Sequence, residues 1–313
     1  MGTTEQSPAP APLAPLDPAR ERRALQVSLA FSILIGAIGI VWGVLGDSRI
    51  VLFDGVYTLF GTALSGLSLL AAWIASRDAT DAYPFGREAI IPVAIVLQGA
   101  ALLGTLVIAF FDSVTLLFSG GTEAAKLGVI GYAVLTGVLS LVVIWWLPRL
   151  APGSELVAAE RDQWRAGAVL SALIALGAAA TLGLVQLGLH WLAPYGDPLL
   201  VIMATIGLAP LAWGLLRSGG RELLEAAPPQ PLREAIERAA AEVGEQRGLP
   251  TATIRSTKLG RRLYVEVDYL VAAGVWDVSD EDGVRRDLIG RLEALGHEVW
   301  ANVELTTDPE LAC

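Results

Sequence analysis

Long apolar runs separated by short polar punctuation fill the first two thirds of the chain, and the pattern changes in the last third. Six stretches reach the roughly 20 apolar residues that a bilayer crossing needs. They are 25–46, 50–75, 89–112, 125–148, 164–191 and 197–217. Turn chemistry lies between them: Gly46-Asp47-Ser48, Ser76-Arg77-Asp78, Ser119-Gly120-Gly121, Pro148 to Ser154, and Pro194-Tyr195-Gly196. Before the first run, MGTTEQSPAPAPLAPLDPAR has no periodicity to pack and reads as a disordered tail over 1–22. The apolar run that follows is long and lacks an A-x-A cleavage site, so it reads as an uncleaved membrane helix.

From Pro228 the period shortens. Leu232, Ile236, Ala239, Ala240 and Val243 share one face of a helix over 231–246. TATIRSTKLGRRLYVEVDYLV alternates with period two around Gly260, which predicts one strand ending near Ser256 and an antiparallel one over Leu263–Leu270. A second helix is expected over 280–294, with Ser279 as N-cap, Asp282 three residues on and Gly296 as its stop. EVWANVEL, 298–305, alternates again. The expected fold is a six-helix transmembrane bundle over 23–226 followed by an αββαβ, ferredoxin-like α/β domain over 227–313.

Composition agrees. Of the 313 residues 54% are hydrophobic and 17% charged, against about 25% charged in soluble domains. With both ends cytoplasmic, the inside segments hold ten arginines and the outside loops only Arg49 and Lys126. That asymmetry sets the orientation; the membrane expected is a bacterial plasma membrane. The tail from Glu222 holds eighteen acids and ten bases, and it offers nucleic acid no basic patch. The single cysteine, Cys313, excludes an intrachain disulfide or a cysteine cluster. No nucleophile–base pair, phosphate-cradling loop or cofactor motif stands at usable spacing, so an enzyme is not expected.

Chemistry concentrates in VLFDGVYTLFG, 51–61, where one acid, Asp54, sits in an apolar run. Acids in such segments are costly and face the protein interior. Asp54, Tyr57 and Gly61 share one helical face, which Thr58 and Ser65 extend; the family resemblance set out below implies that helix five faces it and brings Gln163, with Asp162 and Glu160 nearby. Carboxylate, amide oxygen and hydroxyl together suit a hard, partly hydrated cation. The candidate ligands are therefore Asp54, Tyr57 and Gln163, with Asp162 as a further candidate, and no cofactor other than the transported cation. Other readings stay open: Asp54 paired with Arg165, Tyr57 as an aromatic packing contact, Gln163 as an interhelical hydrogen bond, and Gly61 and Gly167 as points of close helix approach that fill the cavity. Pro92 and Pro210 are expected to kink their helices.

Six spans with an αββαβ tail resemble the cation diffusion facilitator family. DGVYT at 54–58, YPFGRE at 83–88, QWRAG at 163–167 with Ser171, YGDPLL at 195–200 and RELLEAAPP at 221–229 carry the likeness. The resemblance implies a homodimeric, proton-coupled exporter of metal cations, joined through the cytoplasmic domains. It also implies four ligands, two each on helices two and five. Those positions fall on Tyr57, Gly61, Gln163 and Gly167, and none is His, Asp, Glu or Cys. Tyr83 and Arg87 stand where the family's loop histidines would be, and the tail offers only His297 with scattered Glu266, Asp268, Glu304 and Asp308. The departures leave a second reading, a transport-incompetent membrane scaffold or regulator.

Overall fold

A computed structural model describes residues 17–45, 49–121, 127–189 and 191–312, without the side chains of 49–54, 56, 57, 60, 127, 193, 197 and 200. The expected tail over 1–16, the turn at 46–48, Lys126, His190 and Cys313 lie outside the described residues. The chain divides into two compact units, Asp17–Leu223 and Leu224–Cys313.

The first unit is all helical: α1 Pro18–Leu45, α2 Arg49–Ala75, α3 Ile90–Phe118, α4 Leu127–Leu150, α5 Glu155–Gln186 and α6 Gly196–Leu223. Among the described residues five of these, all but α2, are long and apolar enough to cross a membrane, and α2 contributes the shorter apolar stretch Gly61–Ala75. Large side chains such as Ile108, Phe111, Trp145 and Met203 point outward, as they must where the surroundings are acyl chains. The interior is small instead. Ala24, Ala71, Ala72, Ala94 and Ala159 are fully or nearly fully buried around Leu25, Leu147 and Leu156. Glycines set the closest approaches. A Cβ on Gly39 would stand 2.5 Å from the Gly55 Cα, and one on Gly99 would stand 2.9 Å from the Leu216 backbone nitrogen. Small residues allow this backbone contact between membrane helices. Arg77 stacks on Trp73 at 3.7 Å and Arg149 on Trp145 at 3.9 Å, pairs that suit a membrane–water boundary.

Four expectations shift here. Helix α1 begins at Pro18, so 18–22 is helix rather than tail. Pro148 lies in the last turn of α4 rather than in a connecting loop. Pro92 is the third residue of α3; its missing N–H would have been unpaired there anyway, so no helical hydrogen bond is lost to it. The larger shift is at α5, which starts at Glu155, nine residues before the apolar run. Ser154 caps it by accepting from Val157 N at 3.1 Å, and its hydroxyl donates to Glu21 on α1 at 2.6 Å.

The second unit has the order α7 Gln230–Arg247, β1 Thr253–Leu259, β2 Arg262–Leu270, α8 Val278–Glu293 and β3 Glu298–Thr306. The sheet runs β1-β2-β3; β1 is antiparallel to β2 and β3 parallel to it, with α8 as the crossover. This is the αββαβ order read from the periodicity. The first strand runs on to Leu259, because the chain reverses only at Gly260-Arg261. The α8 cap is Asp277 rather than Ser279: Asp277 accepts from Asp280 N and Asp280 reciprocates, a closed capping box. Leu263, Val265, Val267 and Tyr269 form the β2 face that packs on Ile236, Val243, Leu288 and Leu292.

Candidate functional site

The early start of α5 creates the site. Extended back to Glu155, the helix aligns Glu160, Gln163, Gly167 and Ser171 on one stripe, at offsets of three, seven and eleven residues. On α2 the stripe is Thr58, Gly61, Ser65 and Ser68. Between them lies a cavity of about 220 Å3, lined by both stripes except Ser68 and by Ser32, Thr105, Thr136 and Ser140 from α1, α3 and α4. A water needs roughly 10–15 Å3 of such space, so a cation with part of its hydration shell fits. Its polar lining is hydroxyl and amide groups plus one carboxylate, set among apolar side chains such as Leu64, Leu102, Leu170 and Ile174.

Glu160 is 1% exposed. Its Oε2 accepts from the Ser28 hydroxyl at 2.6 Å and from Ser65 at 2.9 Å; its Oε1 accepts from Ser68 at 3.0 Å. Behind these stand two more donors. The Trp164 indole N–H donates to Ser28 at 2.7 Å, and the Gln98 amide donates to Ser68. One carboxylate thus gathers α1, α2, α3 and α5.

The sequence-derived site residues divide. Gln163 lines the cavity, its Nε2 buried with no hydrogen-bond partner among the described residues. Asp54 and Tyr57 lie on α2, but their side chains lie outside the description. Asp54 precedes Ser65 by eleven residues, about 16 Å of helix rise, so α2 separates it from the Glu160 cage. Asp162 does not line the cavity; it pairs with Arg165 at 2.8 Å. A helical offset of two residues turns it away from the Glu160 stripe. Gly61 and Gly167 do not close the helices together: a Cβ on either meets nothing within 4 Å. The cavity is open at those positions rather than filled by backbone. Tyr83 is exposed and lies under the Arg87 guanidinium at 4.4 Å.

Glu160 entered the sequence reading only as a neighbour of Gln163. The available signal was Ser154-Glu155, an N-cap pattern that begins a helix before the hydropathy rises. Its serine partners come from helices far apart in sequence, which no local pattern reveals. In the second unit, Glu266, Asp268 and Glu304 look scattered in sequence, yet the sheet gathers them. Asp268 and Glu304 are register partners on β2 and β3, and Glu266 is two residues from Asp268 on the same face. Burial raises the Asp268 carboxyl above its ordinary value, Glu304 adds to this, and Arg255 partly opposes it. Among the described residues no group of three His, Cys, Asp or Glu is arranged to hold a metal ion.

Comparison with known proteins agrees with this architecture. Residues 25–224 match the cation efflux transmembrane domain. The chain is 23% identical over 275 residues to an uncharacterized transporter of Methanocaldococcus jannaschii, covering 87% of this chain and 93% of that one. It is 26% identical over 214 residues to the zinc transporter ZitB of Yersinia pestis, covering 66% and 64%. It is also 26% identical over 213 residues to ZitB of Escherichia coli, covering 66% and 65%. The chain thus spans just under two thirds of the length of these ZitB relatives. Matched across all its membrane helices, the chain belongs to the cation efflux family, the cation diffusion facilitators: integral membrane transporters of metal cations, not enzymes.

Proposed function

We propose that the protein carries a hard metal cation through the cavity between α2 and α5. In this reading Asp54 supplies the charge, Gln163 and Tyr57 assist, and a proton moves the other way through Asp54. α2 is the sixth crossing, both termini are cytoplasmic, and Leu224–Cys313 joins two copies into a homodimer.

One observation carries the reading. Gly61, Gln163 and Gly167, three of the four family ligand positions, border a single cavity. Where ZitB is a zinc transporter, this lining offers amide and hydroxyl oxygen. Such donors suit Mg-, Ca- or Mn-class cations better than zinc.

The test is flux into reconstituted vesicles carrying an internal pH dye. The wild type is expected to move protons when a divalent cation is added, with Asp54→Ala and Gln163→Ala each at least about tenfold slower. Equal traces for wild type, Asp54→Ala and empty vesicles across Zn, Mn, Fe, Co, Ni, Mg and monovalent ions would leave the scaffold reading standing.

A further inference from the structure

Glu160 poses a charge problem that the transport reading does not use. It is 1% exposed, and among the described residues no Lys, Arg or His lies within ion-pairing distance of it. The indole N–H of Trp164 can only donate. The Ser28 oxygen, receiving it, keeps a proton of its own to give, and Glu160 Oε2 stands 2.6 Å away to accept it, with Ser65 donating to the same oxygen. Ser68 donates to Oε1. Three hydroxyls thus converge on one carboxyl, an arrangement that favours its ionised form while its burial favours the protonated one. A buried, ionised carboxylate without a cationic side chain needs a counter-charge from elsewhere.

A second observation points the same way. Gln98 is fully buried, and while its amide nitrogen donates to Ser68, its Oε1 has no hydrogen-bond partner among the described residues. This places an unpaired carbonyl oxygen one residue from the carboxylate, in a cage that opens to the cavity through Ser65 and Glu160.

We propose that the Glu160 cage is a binding site for a monovalent alkali cation, held by the carboxylate, the hydroxyls of Ser28, Ser65 and Ser68, and Gln98 Oε1. Hard oxygen ligands exclude a preference for soft metals. One negative charge sets the valence: an alkali ion leaves the buried site neutral, whereas a dehydrated divalent ion leaves it positive. The proposal rests on the cage itself and holds whether or not the protein moves a cation through the cavity.

Equilibrium binding tests it. The full-length protein in detergent is titrated with NaCl, KCl or LiCl, with N-methylglucamine chloride keeping ionic strength constant. Thermal unfolding and radioactive sodium binding are read together. The wild type is expected to gain a saturable rise in unfolding temperature and to bind one sodium per chain at saturation. Glu160→Gln, which keeps the shape, loses the shift and at least nine tenths of the bound sodium. Ser65→Ala, which keeps the charge, weakens the apparent affinity about tenfold.

Three results would overturn the proposal. One is a wild type indifferent to all three alkali ions, including one stabilised only by acid, which would mean a protonated Glu160. Another is saturation by magnesium or zinc at lower concentration than by any alkali ion. The third is a Glu160→Gln protein that binds sodium as the wild type does. Should Glu160→Gln fail to fold, Ser65→Ala decides: unchanged sodium affinity refutes the site. Sodium binding with no flux would retain this site and discard the transport reading; flux without alkali binding would do the reverse.

Discussion

The two units hold themselves together by opposite means. In Leu224–Cys313 the core is large: Tyr269, Leu263, Leu288 and Leu292 are fully buried, and removing them from water supplies the stability. In Asp17–Leu223 the buried positions are mostly alanine, glycine and serine, and the large side chains face outward. Lipid removes the reward for burying a leucine, so contact must come from backbone proximity and hydrogen bonds. Acids follow the same division. Asp268 lies beside other acids at a sheet face, with Arg255 partly compensating; among the described residues the hydrogen bonds to Glu160 come from hydroxyls.

The largest effect that sharpens this contrast is expected from Leu288→Ala, which opens a hole in the α8–sheet core. It should cost about 2–5 kcal/mol, read as lost hydrogen-exchange protection in β1–β3 while protection of α1–α6 stays unchanged.

Adding bulk to the membrane unit is the mirror experiment. Gly39→Leu drives a side chain into the Gly55 backbone and should cost about 1–3 kcal/mol or more, measured by thermal unfolding in detergent. Gly61→Leu, on the same α1–α2 pair but facing open space, should cost far less. Equal losses at the two positions would mean that Gly61 is packed and the cavity is not there.

The smallest effect concerns Asp268. A carboxyl that holds its proton more tightly when folded favours folding while protonated. The second unit should therefore lose stability as pH rises from the ordinary aspartate value of 3.8 through the raised one. Asp268→Asn removes the repulsion from its register partner Glu304. It should gain about 0.2–1 kcal/mol at neutral pH and nothing in acid, read by denaturant unfolding at the two pH values.

Much of this architecture was legible in the residues. Apolar runs marked the membrane helices because each must satisfy its own backbone in lipid. Alternation around Gly260 and helical spacing at Leu232 and Ile236 marked the αββαβ unit because one face of each element is buried. The site was half legible. Gln163 followed from the likeness of QWRAG to the family's helix-five motif, but the apolar span was started at 164, since hydropathy discounts the charged turn Glu160-Arg161-Asp162. That discount hid Glu160 and overvalued Asp162, whose partner Arg165 is one turn away. Gly61 and Gly167 read as packing because a glycine in a sequence does not say whether its missing side chain meets backbone or a void.

Helix length has one more consequence. The 32 residues of α5 measure about 48 Å, against a hydrocarbon thickness of about 30 Å. The apolar portion after Arg165 is long enough to fill that thickness alone, so the overhang is at the amino end. Glu160, five residues from that end, stands at the rim of the bilayer rather than at its middle. An ion in the proposed cage would then exchange most readily with the salt of the nearer compartment, and its occupancy would read the composition of that compartment.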